Sequence, residues 1–392
     1  MYQRRLQKEV LELAQGLPVV TITGPRQSGK TTLVRHCFPN KPYINLESPD
    51  VRNAAIADPR GFFSRLPDGA ILDEIQRAPE LLSYIQVIVD EAKKKGMFIL
   101  TGSQQIEVHE AISQSLAGRV GLLQLLPMSL GELSNAGFDL TIDQALVQGG
   151  YPRIFADQLN PTKVYRSYFE TYIERDLRQV IQVKDLSLFQ NFMMLCAGRI
   201  GQVVNFVSLS NDVGVSVNTI KQWLSILEAS FVIIRLRPYF ENFGKRLVKS
   251  PKLFFSDTGL AAFLLGIENA EQMRRDPLRG NLMENLVFLE LYKARINQGL
   301  DPRLYYFRDS SGNEVDFIYQ RARELIPIEV KAAQTYHSSF FKTLEYFKKV
   351  VKNRCPKGYV IYAGDVEQSI GDFELINYKK SELIISNGIE YL

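Results

Sequence analysis

Short apolar runs separated by helix-length segments organise the first third of the chain. Residues 18–23 (PVVTIT), 43–46 (YINL), 70–72 (AIL) and 97–101 (MFILT) are such runs, and residues 81–95 read as a helix ahead of the last one. Strands that alternate with helices predict a parallel sheet flanked by helices. Residues 122–126 (LLQLL) supply a fifth strand, closed by Pro127 because proline has no N–H to give to a ladder. The cluster Gly149-Gly150-Tyr151-Pro152 breaks the pattern, so the first domain is expected to span residues 1–150.

The pattern then becomes helical. Residues 165–180 read as an amphipathic helix rich in Arg and Tyr, followed by helices at 186–197, 209–213 and 217–228. Residues 214–216 form a glycine-containing turn between the last two, and Ser216 is placed to cap the second. Two short helices so joined match a helix-turn-helix. The β-rich runs 231–236 and 252–255 flank a basic loop carrying Lys245, Arg246, Lys249 and Lys252, which completes a winged-helix layout. Asn218, Thr219, Lys221 and Gln222 on the second helix suit phosphate and base-edge contacts, whereas the same layout also serves as a plain connector. This middle region is expected over residues 151–275, and a third domain over 276–392 opens with a long helix and continues with strands at 304–307, 314–319, 326–331 and 359–362.

Composition narrows the setting. A chain of 392 residues exceeds what one core usually supports, and 45% hydrophobic with 23% charged residues is ordinary globular material. The 47 basic and 43 acidic residues nearly cancel to a net charge of +4, so only local clustering of charge can matter to a partner. Cys37, Cys196 and Cys355 lie far apart, without metal-site spacing, and read as reduced thiols. The first residues lack the apolar core of a secretory signal, and later apolar stretches are interrupted by charge. The expectation is a cytoplasmic protein without a membrane segment.

The most specific signal is residues 24–32, GPRQSGKTT, directly after the first strand. Gly24 and Gly29 let the backbone through Pro25, Arg26, Gln27 and Ser28 curl until its N–H groups face phosphate oxygens. Lys30 then reaches the β and γ phosphates, Thr31 takes a Mg²⁺ position, and Thr32 continues the helix whose N-terminus adds a positive dipole. ATP and Mg²⁺ are the expected cofactors. The strand 70–72 ends in Asp73 and Glu74, suited to holding Mg²⁺ through water and to polarising an attacking water, so hydrolysis is favoured over kinase chemistry. Ser103, at the tip of the fourth strand, is a candidate contact for the γ-phosphate or the water. Arg119 is a candidate arginine finger, in cis or across a subunit boundary.

A second constellation lies near the C-terminus. Glu284 interrupts a helix, 282–292, that is apolar on nearly every side. Asp316 alternates with Val315 and Phe317, and Glu329 with Lys331 alternates with Ile328 and Val330. A hairpin turn centred between residues 322 and 323 sets Asp316 across from Glu329, at a Cβ separation of roughly 5 Å. Two carboxylates that close call for a cation, and Mg²⁺ held by Asp316 and Glu329, with Lys331 orienting a water, would suit phosphodiester chemistry.

These motifs resemble those of bacterial and archaeal AAA-type ATPases that carry a C-terminal domain similar to the PD-(D/E)xK restriction-endonuclease fold. The resemblance rests on GPRQSGKTT, ILDEIQ (71–76), ILTGS (99–103) and LAGR (116–119), then on GNLMENLV (280–287), EVDF (314–317) and IEVKAA (328–333). It implies a P-loop ATPase domain, a helical or winged-helix region and a restriction-endonuclease-like α/β domain, with the nuclease motif falling on Glu284, Asp316, Glu329 and Lys331. The function expected is ATP hydrolysis coupled to a nuclease-like domain acting on DNA. The alternatives are an ATP-gated switch that binds DNA or protein through an inactive C-terminal domain, and a signalling ATPase that recruits a protein partner. Assembly into a homo-oligomer is left open.

Overall fold

Five strands, β1 (Val19–Thr23), β2 (Tyr43–Asn45), β3 (Ile71–Asp73), β4 (Phe98–Gly102) and β5 (Val120–Gln124), form one sheet in the order β2-β3-β4-β1-β5. Every neighbouring pair is parallel. This follows from the sequence pattern: the strands are apolar at successive positions, as a sheet covered on both faces requires. Val19, Leu72, Phe98 and Leu100 pack on one face with Leu81, Ile85 and Val89 of helix Leu81–Ala92, while Val20, Ile22, Ile71 and Ile99 pack on the other with Leu33 and Val34. A helix that the sequence reading missed, Gln7–Gly16, adds Val10 and Ala14 to that second face. β5 lies two residues earlier than the run 122–126 suggested. Its register on β1 pairs Val19 with Val120, and Leu125 and Leu126 are buried beyond the strand rather than in it.

The structure, a computed structural model, describes residues 2–103, 116–177, 186–239 and 250–386. By packing the chain divides into two units: Met1–Met128 with Ala229–Phe231 and Ile296–Leu300, and Ser129–Glu228 with Val232–Arg295 and Asp301–Leu392.

The second unit opens with helices and ends in a mixed sheet. Ser129 and Thr141 each start a helix with a reciprocal capping box, to Glu132 and Gln144. Where one helix was read at 165–180, an α-helix, Pro161–Tyr168, continues as a π-helix, Phe169–Leu177; its start is set by the Asn160 cap and Pro161, and residues 178–180 lie outside the described residues. Helices Phe206–Val213 and Val217–Ala229 are joined at Gly214, which takes φ +81°, and Ser216 accepts the Thr219 N–H as expected. β6 (Ile233–Leu236) and β7 (Lys252–Phe255) pair antiparallel, with Leu236 opposite Lys252.

The last sheet runs β12-β13-β11-β10-β9-β8, where β8 is Leu304–Arg308, β9 Glu314–Arg321, β10 Glu324–Lys331, β11 Gly358–Tyr362, β12 Gln368–Ile370 and β13 Phe373–Asn377. β8, β9 and β10 form an antiparallel meander, and β11 joins β10 in parallel. Helix Lys342–Val351 covers one face through Leu344, Phe347 and Val351. The β9–β10 register pairs Arg321 with Glu324 and Phe317 with Ile328, so the turn is centred between residues 322 and 323. Among the described residues no helix is long and apolar enough to cross a membrane.

One buried carboxylate joins distant parts of this unit. Asp257 accepts hydrogen bonds from Gly150 N–H (2.7 Å), the Tyr165 hydroxyl (2.6 Å) and the Gly259 N–H at the start of helix Thr258–Leu264. Gly149 turns the chain beside it with φ +62° and ψ −154°, a conformation essentially restricted to glycine. A Cβ there would lie 2.2 Å from both Asp257 Oδ1 and the Tyr165 hydroxyl oxygen. Gly149→Ala is therefore expected to cost about 3 kcal/mol or more, whereas Gly280→Ala, in open space on helix Arg279–Ile296, should be neutral or stabilising by up to about 1 kcal/mol. Thermal melts of the two variants against the parent check both.

Candidate functional site

The loop after β1 has the backbone its residues demanded. Gly24 takes φ +153°, and a Cβ on it would lie 2.1 Å from the Leu125 carbonyl oxygen, so only glycine lets the loop pass this close to the chain leaving β5. Gln27 (φ +63°) and Gly29 (φ +97°) complete the curl, and helix Lys30–Cys37 starts immediately. Arg4 braces the loop from outside by donating to the carbonyls of Ser28 (2.7 Å) and Leu126 (2.6 Å). The Lys30 ammonium is buried and donates to the Gly24 and Pro25 carbonyls, both at 2.9 Å. Burial pulls its pKa down to about 8, against the opposing pull of Glu74 and Asp73. Ser28 Oγ is buried without a hydrogen-bond partner among the described residues. A buried ammonium, an unsatisfied hydroxyl and a helix N-terminus at one loop fit a polyphosphate.

The second half of the site comes from the tips of β3 and β4. Asp73 ends β3 and is 5% exposed. Its carboxylate accepts from Thr31 Oγ1 (2.9 Å), the Tyr43 hydroxyl (2.6 Å) and the Thr101 hydroxyl. Thr31 and Asp73 are thus the adjacent hydroxyl and carboxylate that suit a Mg²⁺ position. Glu74 sits in the left-handed region at φ +59°, which turns the chain at the sheet edge. Its carboxylate accepts from the Ser103 hydroxyl at 3.0 Å and from the Gln76 amide, and Gln76 also donates to Ser103 at 3.1 Å. The structure therefore brings Lys30, Thr31, Asp73, Glu74 and Ser103 together. Tyr43, Gln76 and Thr101 escaped the sequence reading; Gln76 and Thr101 lie inside the quoted ILDEIQ and ILTGS motifs, while Tyr43 carries no sequence signal.

Arg119 does not join them. It precedes Val120, which pairs with Val19 at the start of β1, whereas the phosphate loop follows Thr23 at the other end. A rise of about 3.3 Å per residue puts that end roughly 16 Å away. The guanidinium instead binds Asp90, with one contact at 2.8 Å. This placement does not bring Arg119 to the phosphate loop of its own chain.

The C-terminal carboxylates do converge, around a residue assigned elsewhere. Lys252, expected on an exposed basic wing, is 1% exposed, and its ammonium contacts Glu284 Oε1 (2.8 Å), Glu314 Oε1 (2.6 Å) and Asp316 Oδ1 (3.8 Å). The reason is positional: β7 pairs with β6, and Lys252 is bridged on its other side to Val203, which fixes its side chain inward. Lys245, Arg246 and Lys249 lie outside the described residues. Asp316 Oδ2 accepts the Val330 N–H at 2.8 Å across the hairpin, and Lys331 pairs with Glu329 at 2.6 Å. Burial pushes Glu284 up to about 8, reinforced by Asp316 and opposed by Lys252. Glu329 rises to about 7, again through burial first and Asp316 second. Burial works against the charge on Lys331, but Glu329 and Asp316 outweigh it and raise its pKa. Among the described residues no three His, Cys, Asp or Glu side chains are grouped to hold a metal ion.

Comparison with known proteins agrees with the N-terminal geometry. Residues 17–134 match the family model described as an AAA domain, residues 139–271 a domain of unknown function (DUF8612), and residues 279–380 a second domain of unknown function (DUF4143). Over 323 residues the chain is 32% identical to the uncharacterized protein Rv2008c of Mycobacterium tuberculosis, covering 81% of this chain and 71% of that protein. The chain belongs to the Rv2008c family. An uncharacterized protein of Haemophilus influenzae is 23% identical over 346 residues, covering 80% of this chain and 82% of its own. Among solved structures, the Walker-type ATPase of Pyrococcus abyssi aligns with a TM-score of 0.44 at 15% identity, over 67% of this chain and 96% of that one. In this family member the AAA domain over residues 17–134 implies nucleotide binding, typically with Mg²⁺.

The close approach of Gly24 to Leu125 gives a direct check. Gly24→Ala should weaken nucleotide binding at least tenfold, about 1.4 kcal/mol, in a titration with a fluorescent ATP analogue. Gly16→Ala, with open space around it, should bind as the parent does.

Proposed function

We propose that this protein hydrolyses ATP at the edge of the five-stranded sheet, and that nucleotide state is coupled to engagement of DNA by the second unit. The observation that carries the first part is the convergence of Lys30, Thr31, Asp73, Glu74 and Ser103 at one sheet edge. Lys30 binds the β and γ phosphates once they displace the loop carbonyls as its partners. Bound Mg²⁺, held by Thr31 and Asp73, would neutralise phosphate charge. Glu74 orients the attacking water and takes its proton, and Ser103 with Gln76 fixes the rotamer from which it does so. Tyr43 and Thr101 hold Asp73 in place.

The DNA reading rests on the helix pair 206–213 and 217–229 with its exposed Asn218, Lys221 and Gln222, followed by the β6–β7 ladder, a winged-helix arrangement. The C-terminal sheet with Glu284, Asp316, Glu329 and Lys331 supports a restriction-endonuclease-like domain. A second reading, an ATP-gated switch whose nuclease-like domain is inactive, is favoured by one observation: the Lys252 ammonium stands among the carboxylates. Arg119 is retained as a finger only between subunits of a homo-oligomer.

Lys30→Ala should lose both nucleotide binding and turnover. Glu74→Gln should still bind ATP while turnover falls at least 100-fold, on the scale of losing a catalytic base, measured as phosphate release. Full turnover in either variant would overturn the ATPase assignment. Cleavage of single-stranded, duplex and branched DNA with Mn²⁺, abolished by Asp316→Ala and by Lys331→Ala, would establish the nuclease; binding without cleavage would establish the switch. Substituting Lys221 should reduce the salt dependence of DNA binding if the helix faces phosphates.

A further inference from the structure

Three carboxylates from two elements meet at one ammonium. Glu284 comes from helix Arg279–Ile296, and Glu314 and Asp316 from alternate positions of β9. Like charges this close cannot all stay ionised without a cation between them. The chain supplies that cation itself, since the Lys252 ammonium lies 2.6 to 3.8 Å from an oxygen of each. Its surroundings exclude most water: the residue is 1% exposed, the Tyr306 ring lies 5.7 Å away, and Val203 is bridged to its backbone. A second observation points to unfilled capacity beside it. Glu329, 5% exposed and on β10 beside the strand that carries Asp316, keeps Oε2 buried and outside any hydrogen bond of ordinary geometry, with the Thr343 hydroxyl as a polar neighbour. A carboxylate oxygen left so is the type that a hard divalent cation binds.

We propose that Lys252 is a tethered cation standing between Glu284 and Asp316, where a divalent metal with Glu329 as a further ligand would otherwise bind, and that it holds the C-terminal cluster in a metal-free, inactive state. The inference rests on reading this cluster as a nuclease-type metal site. An ammonium pairs as donor with oxygens at 2.6 to 3.8 Å and in loose directions, whereas Mg²⁺ requires about 2.0 to 2.1 Å in octahedral geometry. With the ammonium in place, no three acidic side chains among the described residues are grouped to hold a metal ion. Lys252 belongs to β7, outside the β9–β10 hairpin that carries Asp316 and Glu329, so blocking is a property of β7 rather than of the carboxylates.

The test removes the charge and reads metal. Lys252→Met in the full chain, without nucleotide, should bind Mn²⁺ at least tenfold more tightly than the parent by calorimetry, and adding Asp316→Asn should abolish the gain. Mn²⁺ should also raise the melting temperature of Lys252→Met by more than that of the parent, because the metal replaces the missing charge. Lys252→Gln, which keeps a hydrogen-bond donor for Glu284, serves if the Met variant does not fold, and Lys252→Arg should stay metal-insensitive. Mn²⁺ affinity and melting shift equal to the parent in both neutral variants would overturn the proposal. DNA cleavage is scored separately. Mn²⁺ binding without cleavage in Lys252→Met would leave the tethered cation standing and remove the nuclease, while Mn²⁺-dependent cleavage by the parent, unchanged on substitution of Lys252, would do the reverse.

Discussion

The gathering of polar side chains beside the phosphate loop in the first unit depends on one constraint: all five strands point the same way. Parallel pairing places the C-terminal ends of β1, β3 and β4 along a single edge, so that residues about 40 and 70 positions beyond the phosphate loop in sequence arrive beside it. Thr31 meets Asp73, and Ser103 meets Glu74, without any long loop to bring them there. The same constraint excludes Arg119, which belongs to the opposite edge however suitable its charge. Direction of the strands, more than residue type, decides which groups can cooperate.

The second unit is governed instead by the cost of burying charge. An isolated ion in a low-dielectric interior is strongly unfavourable, and it persists only when paired and hydrogen-bonded. Lys252 is compensated by three carboxylates. Asp257 is satisfied by three backbone N–H groups and a tyrosine hydroxyl, and Glu290 accepts the Leu130 N–H with the Lys293 ammonium 3.7 Å away. Such arrangements add less to stability than their contacts suggest. They do specify one packing strongly, because any alternative leaves a bare charge inside.

What the sequence disclosed follows the range of the interactions. The phosphate loop follows a local spacing rule, and the turn centred on Ala322 and Arg323 follows from the hairpin pattern, with the register running as far as Phe317 opposite Ile328. Asp73 and Glu74 stand out only in combination: carboxylates at a strand end are common, and it is the phosphate loop some 40 residues upstream that gives them meaning. β5 was displaced by two residues because hydrophobicity marks burial, and Leu125 and Leu126 are buried outside the ladder. β12 and β13 passed unnoticed: β12 is an exposed edge of three residues, and Phe373–Asn377 alternates too weakly to stand out. Lys252 reads as part of a basic wing because four basic residues sit close together in sequence, and nothing local reveals that one of them faces three carboxylates 32 to 64 positions away.

The Asp257 carboxylate is at once the N-cap of helix Thr258–Leu264 and the anchor of the corner at Gly149 and Gly150. One group serving both means that the helix and the corner form a single joint. Neither can shift alone unless a buried carboxylate gives up hydrogen-bond partners, so the cost of leaving a buried charge unpaired locks the helix start and the corner together.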